Sequence, residues 1–273
     1  MKIKKTLSLL FVFTLIMACS TNPFTGKKTL ALVPNSQILP MAFQQYDQFL
    51  AEHKVVNNTP NSRMIKNVGQ KIAVASERYL TANGYAGYLK DYRWDYNLVE
   101  DPAVNAWCMP GGKIVFYTGI LPITKGEAGI AAVMGHEVAH ALANHGQQRM
   151  SAGQLQMLGA VAGNVALSKD PENQRIFNDA YGIGSTVGVM LPFSRSHESE
   201  ADRIGLTLMA IAGYEPMEAA NLWERMKANG GGAPPEFLST HPSSERRINN
   251  IKTWVSEAKV EARKFGVTTF KRQ

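Results

Sequence analysis

The stretch His136-Glu137-Val138-Ala139-His140 sits in a run whose flanks, Ile130, Val133, Met134, Val138 and Leu142, are apolar and spaced for a helix. Residues four apart on a helix lie one turn above each other, so both imidazoles can face one cation. Glu137 is rotated from His136 by about 100°, which sets its carboxylate beside an open coordination position and not among the ligands. Two histidines and a glutamate in an apolar helix are costly unless they share a task. The chemistry this pattern suits is one Zn2+ per chain, which lowers the pKa of a water from about 15.7 to about 7. Glu137 is then the general base that takes the remaining proton and passes it to a leaving amine. A chance match in a core or solvated helix is the competing reading, and the apolar context weighs against it.

Such a metal needs a third protein ligand. His145 is five residues after His140. The metzincin continuation would need glycine and histidine where the chain has Ala143 and Gly146, so His145 reads instead as a residue at the negative end of the helix. The segment Arg195-Ser196-His197-Glu198-Ser199-Glu200-Ala201-Asp202 offers more. Glu198 and Asp202 share a helix face, so Glu198 can ligate while Asp202 accepts the other ring N–H of a ligating histidine. His197 falls one residue off that face, and Glu200 points elsewhere.

Around these motifs the chain reads as a helix-dominated α+β domain with a small sheet preceding the metal-binding helix. Helices are expected over 36–53, 61–80, 124–145, 151–167, 173–191, 194–212, 215–229 and 243–264, with strands over 94–99 and 113–117. Thr124 with Glu127 has the spacing of a capping box, and Gly213 that of a C-cap. The strand at 113–117 is entered through the turn Pro110-Gly111-Gly112, and residues 230–235 are a loop. Gly159 and Gly163 form a small-xxx-small pair, read as close packing inside the fold and not as a membrane motif.

The N-terminus reads as an address. Lys2, Lys4 and Lys5 precede an apolar run over 7–17, then Ala18 and Cys19. Ile16-Met17-Ala18-Cys19 resembles a bacterial lipobox, which makes 1–18 a lipoprotein signal peptide, Cys19 the lipidated residue and membrane anchor, 19–35 a polar tether and 36–273 a single domain. Cys19 and Cys108 are the only cysteines, so an acylated Cys19 leaves Cys108 a lone thiol, read as a small buried residue. The chain has 273 residues and a formal charge of +7, of which three positives stand before Ala18. The rest are scattered, which argues against nucleic acid as a partner.

The two motifs in this order resemble the gluzincin metallopeptidase family that includes the CAAX prenyl protease, the heat-shock protease HtpX and outer-membrane proteases of the BepA and LoiP type. That family joins the His-Glu-x-x-His helix to Arg-x-x-Glu-x-x-Ala-Asp, matched by Arg195, Glu198, Ala201 and Asp202, and to a later His-Pro followed by arginine, matched by His241-Pro242 and Arg247, with Arg246 an alternative. The resemblance covers about 94–251 and implies a zincin fold. It implies His241 near the metal, gating the fourth position or binding the oxyanion, and Arg247 stabilising the tetrahedral intermediate. Asn105 and Ala106, with Ile114, Val115 and Phe116, would bind substrate, 113–117 offering a sheet edge to an extended chain. Without long apolar spans, the chain is similar to the soluble lipoprotein branch. It implies an endopeptidase cleaving unfolded or misassembled proteins at the bacterial cell envelope, anchored at the outer membrane facing the periplasm, its assembly partners unnamed. The alternative is an envelope chaperone or binding module with a gated, rarely active zinc site.

Overall fold

A computed structural model describes residues 19–229 and 236–272. The leader expected at 1–18 and the loop expected at 230–235 lie outside them. The chain forms two compact units. One comprises Met1–Ile38 and Asn144–His197, the other Leu39–Ala143 and Glu198–Gln273.

In the first unit β1 (Cys19–Thr21) and β2 (Lys28–Leu30) pair antiparallel. The segment expected as a tether therefore carries a short ladder. Asn22 starts its turn by accepting the Phe24 N–H on its side chain, and Gly26 closes it with φ +67°. Two helices follow later in the chain, α5 (His145–Ala166) and α6 (Pro171–Ser185). A Cβ on Gly159 would lie 2.1 Å from the Tyr181 hydroxyl, and one on Gly163 2.1 Å from Phe177. The small pair thus packs α5 on α6.

The second unit is built on a three-stranded sheet with order β3 (Asp95–Val99), β5 (Lys113–Tyr117), β4 (Ala106–Met109). β3 runs parallel to β5 and β4 antiparallel to it. The turn into β5 works because Gly111 and Gly112 take φ of +84° and +82°, values that side chains resist. The strand over 106–109 was not expected, and it corrects one expectation directly. Residues 113–117 form the central strand, paired on both sides, and Ile114, Val115 and Phe116 are fully buried. They offer no edge. The edge nearer the metal-binding helix belongs to β4.

After α1 (Asn35–Glu52), α2 (Pro60–Ala82) begins with a capping box, Thr59 and Ser62 bonding each other's backbone N–H, and Pro60 at its first turn. Its apolar stripe, Ile65, Val68, Ile72 and Ala75, is buried, and Gly69 lets the Tyr96 ring come where a Cβ would stand. A single turn, α3 (Leu121–Thr124), precedes α4 (Glu127–Leu142). The capping box expected at Thr124 does not form. Lys125 turns left-handed at φ +61°, Thr124 bonds back to the Leu121 carbonyl, and Glu127 bonds the Tyr214 hydroxyl and Lys271. α4 also ends earlier than the periodicity implied, because Asn144 is left-handed at φ +57° and starts α5. α7 (Leu191–Ile211) follows a π-helical stretch, Thr186–Met190, and ends before Gly213 at φ +87°, the expected C-cap. α8 (Met217–Ala228), α9 (Glu236–Thr240) and α10 (Glu245–Lys264) complete the fold. No helix among the described residues is long and apolar enough to cross a membrane.

Candidate metal centre

The centre lies wholly within the second unit and is assembled from four places in the sequence. α4 supplies His136, Glu137 and His140, α7 supplies Glu198 and Asp202, His241 follows α9, and Arg247 sits in the first turns of α10. All seven residues are at most 9% exposed. α4 and α7 approach unusually closely. A Cβ on Gly135 would lie 2.8 Å from the Gly205 carbonyl oxygen, and one on Gly205 2.9 Å from the Gly135 backbone. Backbone touches backbone there, and that contact carries Glu198, two turns before Gly205, to the histidines. Nothing in the motifs pointed to this glycine pair.

His136 Nε2 and His140 Nε2 are 3.1 Å apart, and each lies 3.3 Å from an oxygen of Glu198. A tetrahedral zinc with bonds of about 2.0–2.1 Å separates its ligand atoms by about 3.3–3.4 Å. The three donors therefore fit such an ion without rearrangement. His241 joins them, its Nδ1 at 3.1 Å from His136 Nε2 and 3.0 Å from Glu198 Oε2. Donor atoms of these four residues all fall within 4.8 Å of one another, a group able to hold one metal ion. Two nitrogens, a carboxylate and a further imidazole suit zinc.

The surroundings tune each ligand. Burial drives the His140 imidazole down to about 3, so it is neutral and ready to donate a lone pair. Burial also pulls on His136, but hydrogen bonds to Asp202 and Glu198 more than offset this and hold it at about 9 without a metal. Burial would raise Glu198, yet its three imidazole neighbours keep it ionised, well below the carboxylate range. Asp202 Oδ1 lies 3.0 Å from His136 Nδ1, where it fixes the ring with Nε2 toward the ion.

Arg247 lies beside the metal group, bonded to its carboxylates. Its Nε and Nη2 grip Asp202 at 2.6 and 2.8 Å, Nη2 also lies 3.1 Å from Glu198, and Nη1 donates to the Pro242 carbonyl. Its guanidinium lies 3.8 Å from the Trp223 ring centre. The fork holds the carboxylates that face the metal group, and Nη2 also lies 3.3 Å from His136 Nε2. These contacts brace Asp202 and Glu198. Trp223 and Phe237, which pack at the ring of His136, were not legible as part of the site, since lone aromatics in helices carry no motif.

Glu137 faces the other side of the cluster. It accepts a hydrogen bond from the Cys108 backbone N–H, and burial raises its carboxyl above the ordinary range. Its Oε1 is 3.4 Å from His241 Nε2 and has no hydrogen-bond partner. The Cys108 thiol is half-buried, and desolvation together with the Glu137 carboxylate pushes it well above the thiol range. His145 is not at the end of α4. It opens α5, is fully buried and stacks on His197 at 4.1 Å, while His197 is itself buried and bonds Gln148.

Residues 65–255 match peptidase family M48, more than half of the chain. The chain belongs to that family. Among similar M48 proteins is the mitochondrial metalloendopeptidase OMA1 of Saccharomyces cerevisiae, 37% identical over 209 residues, 73% of this chain and 57% of the relative. OMA1 of Schizosaccharomyces pombe is 41% identical over 63% of this chain and 50% of its own length. The beta-barrel assembly-enhancing protease of Escherichia coli is 27% identical over 57% of this chain and 33% of its own. The chain spans about half the length of the first two relatives. These similarities correct the expected location. The stronger relatives are mitochondrial proteases, which conflicts with a lipid-anchored place at a bacterial outer membrane facing the periplasm.

Proposed function

We propose that this M48 chain is a zinc-dependent endopeptidase that hydrolyses extended segments of unfolded or misassembled proteins, with His136, His140 and Glu198 as ligands and Glu137 as general base. The observation that carries the reading is the buried Glu137 Oε1, without a hydrogen-bond partner, beside a ligand group of tetrahedral spacing. A zinc ion held there supplies Lewis acidity, making a water acidic near neutral pH and polarising a carbonyl. Glu137 takes the water's proton at Oε1 and returns it to the amide nitrogen as the peptide bond breaks. Its raised affinity for protons suits both halves of that exchange. Asp202 and Arg247 keep His136 and Glu198 in place throughout.

The β4 edge supports the substrate class. Tyr117 N–H bonds the Asn105 carbonyl, so residues 105, 107 and 109 bond β5, and antiparallel alternation turns the N–H and C=O of Ala106 and Cys108 away from it. Cys108 N–H already bonds Glu137 and Ala106 N–H the Asn105 side chain, so the edge meets a peptide through the Ala106 and Cys108 carbonyls. A peptide adding as a further strand here lies along the base, is read by its backbone and needs little sequence preference. In this reading Asn105 flanks the bound peptide and Ala106, itself buried, contributes its backbone. Ile114, Val115 and Phe116 support it from the neighbouring strand.

Glu137→Gln should retain zinc and lose about 10²–10⁴-fold in cleavage of an unfolded casein-like substrate. Undiminished cleavage would remove Glu137 from the mechanism. A second reading, a binding module whose centre is normally shut, is favoured by one observation, the His241 Nδ1 closing on Glu198 and His136. α9, which precedes it, is tied to the substrate edge by Phe237 N–H on the Val104 carbonyl and by Asn105 on Glu236. Cleavage that rises in His241→Ala supports a gated protease. Cleavage absent from both proteins at full zinc content supports the binder.

A further inference from the structure

Nine of the thirteen exposed large apolar side chains among the described residues lie in the first unit, so the exposure is concentrated and not scattered. Most of it is on α5. Met150, Met157, Leu158, Val161 and Val165 fall within an arc of about 100° when projected as a helix, and Met157 and Val165 are each 68% exposed. This is not the face that packs on α6, which is the Gly159 and Gly163 face. On its flank, Leu155, Phe177, Tyr181, Val189 and Met190 line an open groove of about 620 Å³, which extends the apolar surface. A contiguous apolar stripe of this kind marks a contact surface.

Charge and connectivity select the occupant. α5 contains no carboxylate. Its only charged residue is the exposed Arg149, and the exposed Lys169 follows just beyond its end. Over its described residues the unit carries six Lys and Arg, Lys27, Lys28, Arg149, Lys169, Arg175 and Arg195, against three carboxylates, Asp170, Glu172 and Asp179, and this positive balance beside an apolar stripe suits an anionic lipid surface. In sequence β1 is preceded by residues 1–18, where Lys2, Lys4 and Lys5 stand before the apolar run over 7–17. β1 starts at Cys19. The segment after β2 is bonded to α5, Leu32 N–H donating to Ser151 Oγ at 3.0 Å and Gln147 Nε2 to the Val33 carbonyl. In a chain that keeps 1–18 and is not cut before Cys19, a membrane entered by the 7–17 run would therefore lie within a short tether of the stripe.

We propose that the face of α5 formed by Met150, Met157, Leu158, Val161 and Val165 docks on a lipid bilayer surface, lying in the interface with Arg149 and Lys169 at anionic headgroups. α5 is too polar to cross. It lies on the bilayer, its apolar side sunk about 5–10 Å below the headgroups.

The test places a fluorophore on Val161→Cys in the full chain carrying Cys19→Ser and Cys108→Ser, with residues 7–17 kept. Quenching by aqueous acrylamide is measured in buffer and on vesicles of phosphatidylcholine with a minority of phosphatidylglycerol. Docking predicts that quenching is strong in buffer and lost on vesicles. Adding Met157→Asp and Val165→Asp should restore it while the 7–17 run still holds the chain on the vesicle. Unchanged quenching on vesicles overturns the proposal. So does protection already present in buffer, which indicates a second copy if it grows with protein concentration and the chain's own 7–17 run if it does not.

Discussion

Each ligand in the centre is held by a neighbour that can be removed separately. Asp202→Asn leaves His136 without a charged acceptor on Nδ1, and zinc affinity should fall by about 10–100-fold, measured by competition with a chromophoric chelator. Arg247→Met leaves Asp202 and Glu198 as buried carboxylates without their cation. Breaking such a pair costs about 3–5 kcal/mol, which should appear in denaturant unfolding, and a change within error would show that the guanidinium is not the brace described. In Glu198→Ala the zinc content should drop, and full occupancy would point to a different third ligand. At this scale much was legible. His136, Glu137 and His140 are set by local helix geometry, and so is the Glu198–Asp202 spacing. The place of Arg247 was not, because a positive residue near a site can face either the substrate or the ligands, and only packing against Trp223 and Asp202 decides which.

Between elements, the closest constraint is the crossing of α4 and α7 at Gly135 and Gly205. Gly205→Ala puts a methyl against backbone that has no side chain to swing aside, so the helices must separate. Overpacking of this kind costs about 1–3 kcal/mol. Since the crossing sets the distance from Glu198 to the histidines, zinc affinity should fall together with the melting temperature. A lower melting temperature at unchanged affinity would mean that the crossing does not set the centre. The edge of β4 offers a second test. Cys108 N–H points away from β5 and bonds Glu137, so Cys108→Pro should leave the sheet ladder intact, as edge prolines do, while cleavage drops through loss of that bond. The helices were visible in the apolar periodicity. The strand at 106–109 was not, because Ala-Trp-Cys-Met shows no alternation of polar and apolar residues, and strand order is set by long-range pairing that no local pattern records. The capping box at Thr124 failed for a related reason: its spacing was right, but the left-handed Lys125 broke the chain between its two members.

For the whole molecule, metal and proton compete for one imidazole. In the metal-free protein His136 titrates at about 9 against an ordinary 6.5, so its contribution is complete below about pH 6.5 and lost as pH rises through about 9. His140, driven down to about 3, acts the other way, its contribution present above about 6.5 and lost as pH falls toward 3. From this pair the stability of the metal-free protein should peak near pH 6.5. Zinc requires His136 deprotonated, so its affinity should rise with pH up to about 9, and the gap in melting temperature between zinc-loaded and chelator-treated protein should widen over the same range. Scanning calorimetry with and without chelator checks both, and a gap that is flat between pH 6.5 and 9 would contradict the assignment of His136.

Taken alone, the sequence determined the chemistry on offer. A helix puts residues one turn apart on the same side, so His136 with His140 and Glu198 with Asp202 were paired before any fold was known. The tertiary structure decided what those pairs face. Two glycines let α4 and α7 touch, a ladder of backbone hydrogen bonds made 106–109 the edge and 113–117 the centre, and a buried arginine turned toward the carboxylates. These depend on contacts between residues far apart in the chain, whose energies come from the packing of many groups at once and leave no periodic trace in the residues that make them.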